Sequence, residues 1–205
     1  MSTPDDQAAP AATRAEAQRE RILNAALKCF VESGFHAASM ASIAEAAQMS
    51  AGLMYRYFEN KNAIMLAIIE RQLEQMGCRI RQLQSSRNFK AGILEAFEQW
   101  RAGGERPGMN PALFLEMSAE GTRDPQIAAA LRCSDVLMRN EIKAWLGRSP
   151  ADGGLGLSDE LAASRALQLQ LVVEGLMLRA VREPDIDRKQ LDCALEAAFA
   201  RMLAP

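Results

Sequence analysis

Residues 39–61 read S-M-A-S-I-A-E-A-A-Q-M-S-A-G-L-M-Y-R-Y-F-E-N-K, and the way this stretch breaks into pieces decides the fold. Ser39 and Ser50 each stand where a hydroxyl can accept from the backbone N–H groups of a first helical turn. The spacing predicts one short helix over 40–47 and a second over 51–58. Two short helices joined by a tight turn make a helix-turn-helix. Ile43, Ala47, Met49, Met54, Tyr57 and Phe58 are spaced to pack on a preceding helix and on each other, with Ala44 small where two helices must cross closely. Ala51, Gly52 and Leu53 leave the first turn of the second helix without a long side chain in the way. In such a motif that turn faces base edges in the major groove, and its amides and dipole favour phosphate. Tyr55 and Arg56 are expected to project outward, with Lys61 at the start of the next helix. Hydroxyl, guanidinium and ammonium groups bind phosphate oxygens or guanine acceptors.

Outward from this stretch the chain reads as helix almost throughout. Thr13 and Glu16 have capping-box spacing, and Ile22, Leu23, Ala26, Leu27 and Phe30 recur at helical intervals up to Gly34. A long helix is predicted from near Asn60 through Ile80, and another on Ile93, Phe97 and Trp100, stopping at Gly103-Gly104. Asn110-Pro111 and Asp124-Pro125 each put a capping side chain before a proline at the first helical position. Ile127, Leu131, Ser134, Met138 and Trp145 mark one face of the helix that follows. The turn-rich loop 149–156 leads to a helix capped by Ser158 or Asp159, and a last apolar stripe runs from Leu191 to Met202. No segment alternates with period two. The predicted class is all-α, with about nine helices: a disordered leader over 1–12, a three-helix head over 13–62 and a helical bundle over 63–205.

The stretch 167–181 is apolar on most sides and must be covered on more than one of them. Either it is the central helix of a monomer, or a second copy covers it and a C-terminal helix pair dimerises as a four-helix bundle. The second reading places Leu169, Val173, Leu176, Met177, Ala180, Leu195, Ala198, Phe199 and Met202 in the dimer interface.

Composition excludes several classes. The 205 residues are 49% hydrophobic and 24% charged, with 24 Lys+Arg against 26 Asp+Glu, so the chain as a whole is no basic nucleic-acid coat. Charged or amide side chains recur every few positions, and no membrane span or secretory signal is expected; a cytoplasmic location is. Cys29, Cys78, Cys133 and Cys193 form no C-x-x-C pair, and His36 is the single histidine. No metal site, cofactor or catalytic residue is expected. His36 reads as a turn residue. Gly153, Gly154 and Gly156 lie in a loop without the strand that a nucleotide-binding motif needs.

The first helix through Phe30, Gly34-Phe35, S39-M40, I43-A44-E45-A46-A47, M49-S50-A51-G52-L53-M54-Y55-R56-Y57-F58 and Lys61 together resemble the TetR/AcrR family of bacterial transcriptional regulators over about 50 residues. The rest resembles it in helix count and in the V-x-G-L-x-L-R-A-V and D-P-x-I patterns at 173–181 and 124–127. One departure is Gln48, where the family usually has glycine at the turn; a non-glycine residue must accept a left-handed or adjusted backbone. The resemblance implies that Ser39, Ser42, Tyr55, Tyr57 and Lys61 contact the phosphate backbone of double-stranded operator DNA, with Ala51, Gly52, Leu53 and Arg56 at or near base edges. Charge adds little: between Thr13 and Lys61, Arg14, Arg19, Arg21, Lys28, Arg56 and Lys61 stand against Glu16, Glu20, Glu32, Glu45 and Glu59, a net of +1. The cluster Arg14, Arg19 and Arg21 either touches adjacent DNA backbone or is a solvated face.

The same resemblance implies that the remainder binds a small-molecule effector. Phe97, Trp100, Phe114, Met117, Met138 and Trp145 would line an apolar cavity, with Glu116 as polar determinant, although aromatic and Met positions at helical spacing are usually packing residues. The implied function is a homodimeric repressor released from a palindromic operator by a largely apolar ligand. Alternatives are an activating or redox-responsive regulator working through Cys29, or through Cys78 beside Arg79, and an all-α interaction module.

Overall fold

The computed structural model describes residues 11–85, 89–102 and 110–203, without the side chains of 11–13 and 76–89. Among the described residues there are nine α-helices and no strand, in the order α1 (Ala11–Ser33), α2 (Met40–Ala46), α3 (Ala51–Tyr55), α4 (Lys61–Ser85), α5 (Phe89–Arg101), α6 (Pro111–Gly121), α7 (Pro125–Gly147), α8 (Asp159–Arg182) and α9 (Arg188–Met202). The expected all-α architecture is what the chain adopts. α1 already runs at Ala11, so Thr13 stands inside the helix and not at its cap.

Local chemistry explains most boundaries. The side chains of Asn110 and Asp124 each accept two first-turn N–H groups, with proline next in line. Ser158 and Asp187 cap α8 and α9, each accepting one N–H, from Leu161 and from Gln190. A short 3-10 turn at Pro150–Asp152 occupies the predicted loop, where Trp145 donates its indole N–H to the Gly153 carbonyl at 3.1 Å.

The chain divides into two compact units, 1–68 and 69–205, so the first turns of α4 belong to the first unit. That unit buries Ile22, Leu23, Ala26 and Phe30 of α1 against Ile43, Ala44, Met54, Phe58, Ile64 and Met65. In the second unit, α5, α7, α8 and α9 share a core of Ile93, Leu94, Phe97, Trp145, Leu146, Ala166, Leu169, Leu176, Leu191, Leu195 and Phe199. Lys90 on α5 pairs with Asp192 at 3.1 Å and with Glu196, tying α5 to α9.

This core takes up most of the side chains expected in the dimer face. Leu169, Leu176, Met177, Ala180, Leu195, Phe199 and Met202 are all buried within the single chain, and Val173 and Ala198 are half-buried, so they have little area left for a partner. Periodicity identified the apolar stripe that the chain uses for itself. The outward stripe of α8 is a different set: Leu167 and Leu171, 44% and 58% exposed, Gly175, exposed, and Leu178, half-buried. A Cβ added at Gly175 would meet nothing. By length and mean hydropathy alone α8 could cross a membrane. Its inner side instead packs in the core, and Arg165, Gln170 and Glu174 interrupt it.

Candidate nucleic-acid interface

The head assembles around two capped short helices. Ser39 Oγ accepts from the Ser42 N–H at 3.0 Å and Ser42 Oγ accepts from the Ser39 N–H at 2.9 Å, a reciprocal box at the start of α2. Ser50 Oγ accepts from the Leu53 N–H at 3.2 Å and starts α3. α3 is shorter than its predicted span. Arg56 donates its N–H to Leu53 O and Tyr57 donates to Met54 O, so the helix tightens and closes after Tyr55. Met54 and Phe58 are buried as predicted, and Tyr57 is half-buried.

The outward side of α3 carries Ala51, Gly52, Tyr55 and Arg56, all exposed, with Leu53 half-buried beside them. Tyr55 is 56% exposed, an unusual place for an aromatic ring. A Cβ on Gly52 would meet open space, so no packing within the chain requires glycine there. These residues form one face. Ser39 is exposed at the start of α2 and Ser42 is half-buried one turn on.

Lys61 stands apart from this face. Its ammonium donates to the carbonyls of Phe35 at 2.7 Å, Ala38 at 2.6 Å and His36 at 3.3 Å, and lies 4.7 Å from the centre of the Phe35 ring. An ammonium has three donors, and here three carbonyls take them. In this structure Lys61 pins the loop between α1 and α2 to the start of α4. Only its tertiary partners reveal that role, and they lie 23 to 26 residues upstream.

The turn itself was legible as a departure. Gln48 adopts φ 52°, the left-handed conformation that glycine usually takes. Arg21, expected as a DNA-backbone or solvated residue, donates from Nη2 to the Gln48 carbonyl at 3.0 Å and to Gln48 Oε1 at 3.4 Å. Arg19 lies over the Phe58 ring at 5.3 Å.

The seven expected ligand residues lie on α5, α6 and α7. Phe97, Trp100 and Trp145 belong to the shared core of α5, α7, α8 and α9. Met117 is buried on α6, where Phe114 and Glu116 are half-buried, and Met138 is half-buried on α7. A residue that the sequence did not single out is Gln72 on α4, 4% exposed, whose amide oxygen and nitrogen both lack a partner. Among the described residues no cluster of His, Cys, Asp or Glu could hold a metal. Burial and the neighbouring Glu32 push the Cys29 thiol up, which makes it a poor thiolate. Cys78 lies outside the described side chains.

Comparison with known proteins agrees with this geometry. The family model for bacterial regulatory proteins of the tetR family matches residues 22–68, and that for the C-terminal part of BetI-type transcriptional repressors matches residues 110–204. The chain is 32% identical over 193 residues to the HTH-type transcriptional regulator UidR of Escherichia coli, covering 93% of this chain and 91% of the relative. It is 27% identical over 195 residues to the HTH-type transcriptional repressor KstR of Rhodococcus jostii, covering 82% and 86%. Among solved structures, Salmonella enterica GusR superposes with a TM-score of 0.73 at 26% identity, covering 91% of this chain and 95% of that one. SmeT in complex with triclosan shares the fold with a TM-score of 0.69 at 21% identity, covering 90% and 91%.

Proposed function

Because the chain belongs to the TetR family of bacterial transcriptional regulators, whose members are regulators and not enzymes, we propose that it acts in the cytoplasm as a homodimeric repressor that a small molecule releases from a palindromic operator. The observation that carries this reading is the exposed side of α3. A five-residue helix is too short to be stable alone, yet it is capped by Ser50, fastened by buried Met54, and offers Tyr55 and Arg56 outward beside an unobstructed turn. Tyr55 and Ser39 suit phosphate oxygens, Arg56 suits a guanine edge, and Ala51, Gly52 and Leu53 allow close approach. Ser42 and Tyr57 support that edge, and Lys61 positions it from behind.

Dimerisation is supported by the outward stripe Leu167, Leu171, Gly175 and Leu178 on α8, apolar where a single chain has no use for it. Small exposed residues on α9, namely Cys193, Ala194, Ala197 and Ala200, allow close helix approach. Two heads related by a two-fold axis read half-sites about 34 Å apart or a small multiple of it. An effector that prefers the arrangement with misspaced heads lowers DNA affinity by its differential affinity for the two states. SmeT, whose fold this chain shares, holds triclosan. For this chain the effector is a largely apolar molecule carrying a hydrogen-bonding group, which the buried amide of Gln72 would receive.

The test is selection of bound duplexes from a random DNA pool, followed by affinity measurements at two salt concentrations for the wild type and for Tyr55→Ala/Arg56→Ala. An enriched inverted repeat that the variant fails to bind supports the reading. Absence of any enriched sequence refutes it.

A further inference from the structure

The turn between α2 and α3 must reverse hand at one residue. Gln48 donates its N–H to Glu45 O at 2.9 Å and Met49 donates to Ala44 O at 3.0 Å. This pair of bonds is the Schellman ending of a helix, and it requires a left-handed residue at position 48. Gln48 meets that requirement as the one non-glycine residue with positive φ among those described. Its Cβ makes the conformation unfavourable for an L residue, so something must hold the turn there.

Arg21 is placed to do so. Its Nη2 reaches both the main-chain oxygen and Oε1 of Gln48. Its neighbours Ile22 and Leu23 are fully buried, so the guanidinium extends from a firmly seated part of α1. α3 begins three residues after Gln48, and so short a helix takes its direction from the turn that precedes it.

We propose that Arg21 is a positioning residue for DNA recognition: it clamps the left-handed Gln48 and thereby sets the angle at which α3 presents Ala51, Gly52, Tyr55 and Arg56. Arg21 and Gln48 then act as a pair that replaces a turn glycine, so the need for Arg21 disappears when glycine is restored. The inference rests on the DNA-reading function of α3. It separates Arg21 from a simple phosphate-binding cation, because a clamp adds affinity without adding a released counterion.

The experiment is a double-mutant cycle on the full chain with Arg21→Ala, Gln48→Gly and the double variant. The probe is the duplex that the wild type enriches from a random pool, with affinity measured across a salt series. Amide exchange at Gln48 and Met49 is followed without DNA. Arg21→Ala is expected to weaken binding about three- to tenfold and to speed exchange at Met49, with the salt slope unchanged. In the Gln48→Gly background the same change is expected to alter affinity by less than about twofold. Equal losses in both backgrounds, or a salt slope reduced by about one, overturn the clamp. If the wild type enriches no duplex, the DNA reading has failed, while the exchange measurement still decides the clamp: Met49 exchange indifferent to Arg21→Ala refutes it.

Discussion

Replacing Lys61 by methionine separates two roles that look alike in a sequence. Methionine keeps an unbranched stem against the Phe35 ring and removes only the charge and its donors. The ammonium makes two short bonds, to Phe35 O and Ala38 O, and a longer, exposed one to His36 O. A hydrogen bond to a charged group contributes about 1.5–3 kcal/mol, but carbonyls on an exposed loop recover part of this from water, so the loss comes to about 2–3 kcal/mol in all. For a chain of this length that is a fall of about 5–10 °C in Tm. The assay is thermal unfolding by circular dichroism without DNA, paired with the salt dependence of operator binding. A structural Lys61 lowers Tm and leaves the salt slope of the remaining affinity unchanged. If Tm moves by less than about 1 °C while the slope falls by about one, Lys61 neutralises a phosphate and the assignment made from its three carbonyls is refuted.

Other consequences are equally specific. Tyr55→Ala, at an exposed position, is expected to leave Tm nearly unchanged while weakening operator binding about tenfold, which gel-shift titration beside a melting curve would show. Leu171→Arg places a charge in the middle of the outward stripe of α8 and is expected to convert dimer to monomer in sedimentation velocity; a dimer of undiminished strength would remove that stripe from the interface. Asp135, on α7, has its carboxyl pushed above the usual value of 3.8, chiefly by burial, against the opposing pull of Arg139 and a hydrogen bond with Gln170. Its folded form holds a proton more readily than the unfolded one, so its stabilising contribution is present at low pH and is lost as pH rises from 3.8 through the folded value. Asp135→Asn is therefore expected to raise Tm at neutral pH by an amount that shrinks toward pH 4, and a gain independent of pH would contradict the assignment.

What the sequence disclosed was what local chemistry governs. Asn110-Pro111, Asp124-Pro125, Ser39 and Ser50 announce helix starts because a cap acts within one turn of itself. The end of α3 was less legible, since Arg56 and Tyr57 could have continued an ordinary helix and tighten only because Met54 and Phe58 must both be buried. The partners of Lys61 and Arg21 are hidden in the sequence for one shared reason. Each is a long cation whose role is fixed by carbonyls more than 20 residues away, and a cation near a helix-turn-helix looks in sequence like a phosphate ligand whatever it holds. The ligand residues that the resemblance implies are aromatic and Met positions at helical spacing, a spacing that reports burial, and Phe97 and Trp145 are indeed buried, in a core cluster that also serves packing. Gln72 gave no signal, because an amide in a helix means nothing until its burial is known.

α8 shows why periodicity alone does not tell a core stripe from an outward one. A helix apolar on two sides presents two stripes of equal quality, and the chain claims the one that holds Leu169, Leu176 and Ala180. The stripe it leaves contains Gly175, and glycine in the middle of an exposed helix costs about 0.5–1 kcal/mol relative to alanine. Nothing among the described residues repays that cost, because a Cβ there would meet open space. In the proposed dimer its use comes from the partner copy. In the proposed dimer Gly175, between exposed Leu171 and half-buried Leu178 on the stripe, would be the point where the backbone of another helix approaches most closely, and a second copy bringing its own α8 would satisfy this requirement with no new surface. The polar residues Arg139, Gln170 and Glu174 bond one another between α7 and α8. They fix the rotation of α8 about its axis, which decides that Leu171 faces outward while Gln170 faces in.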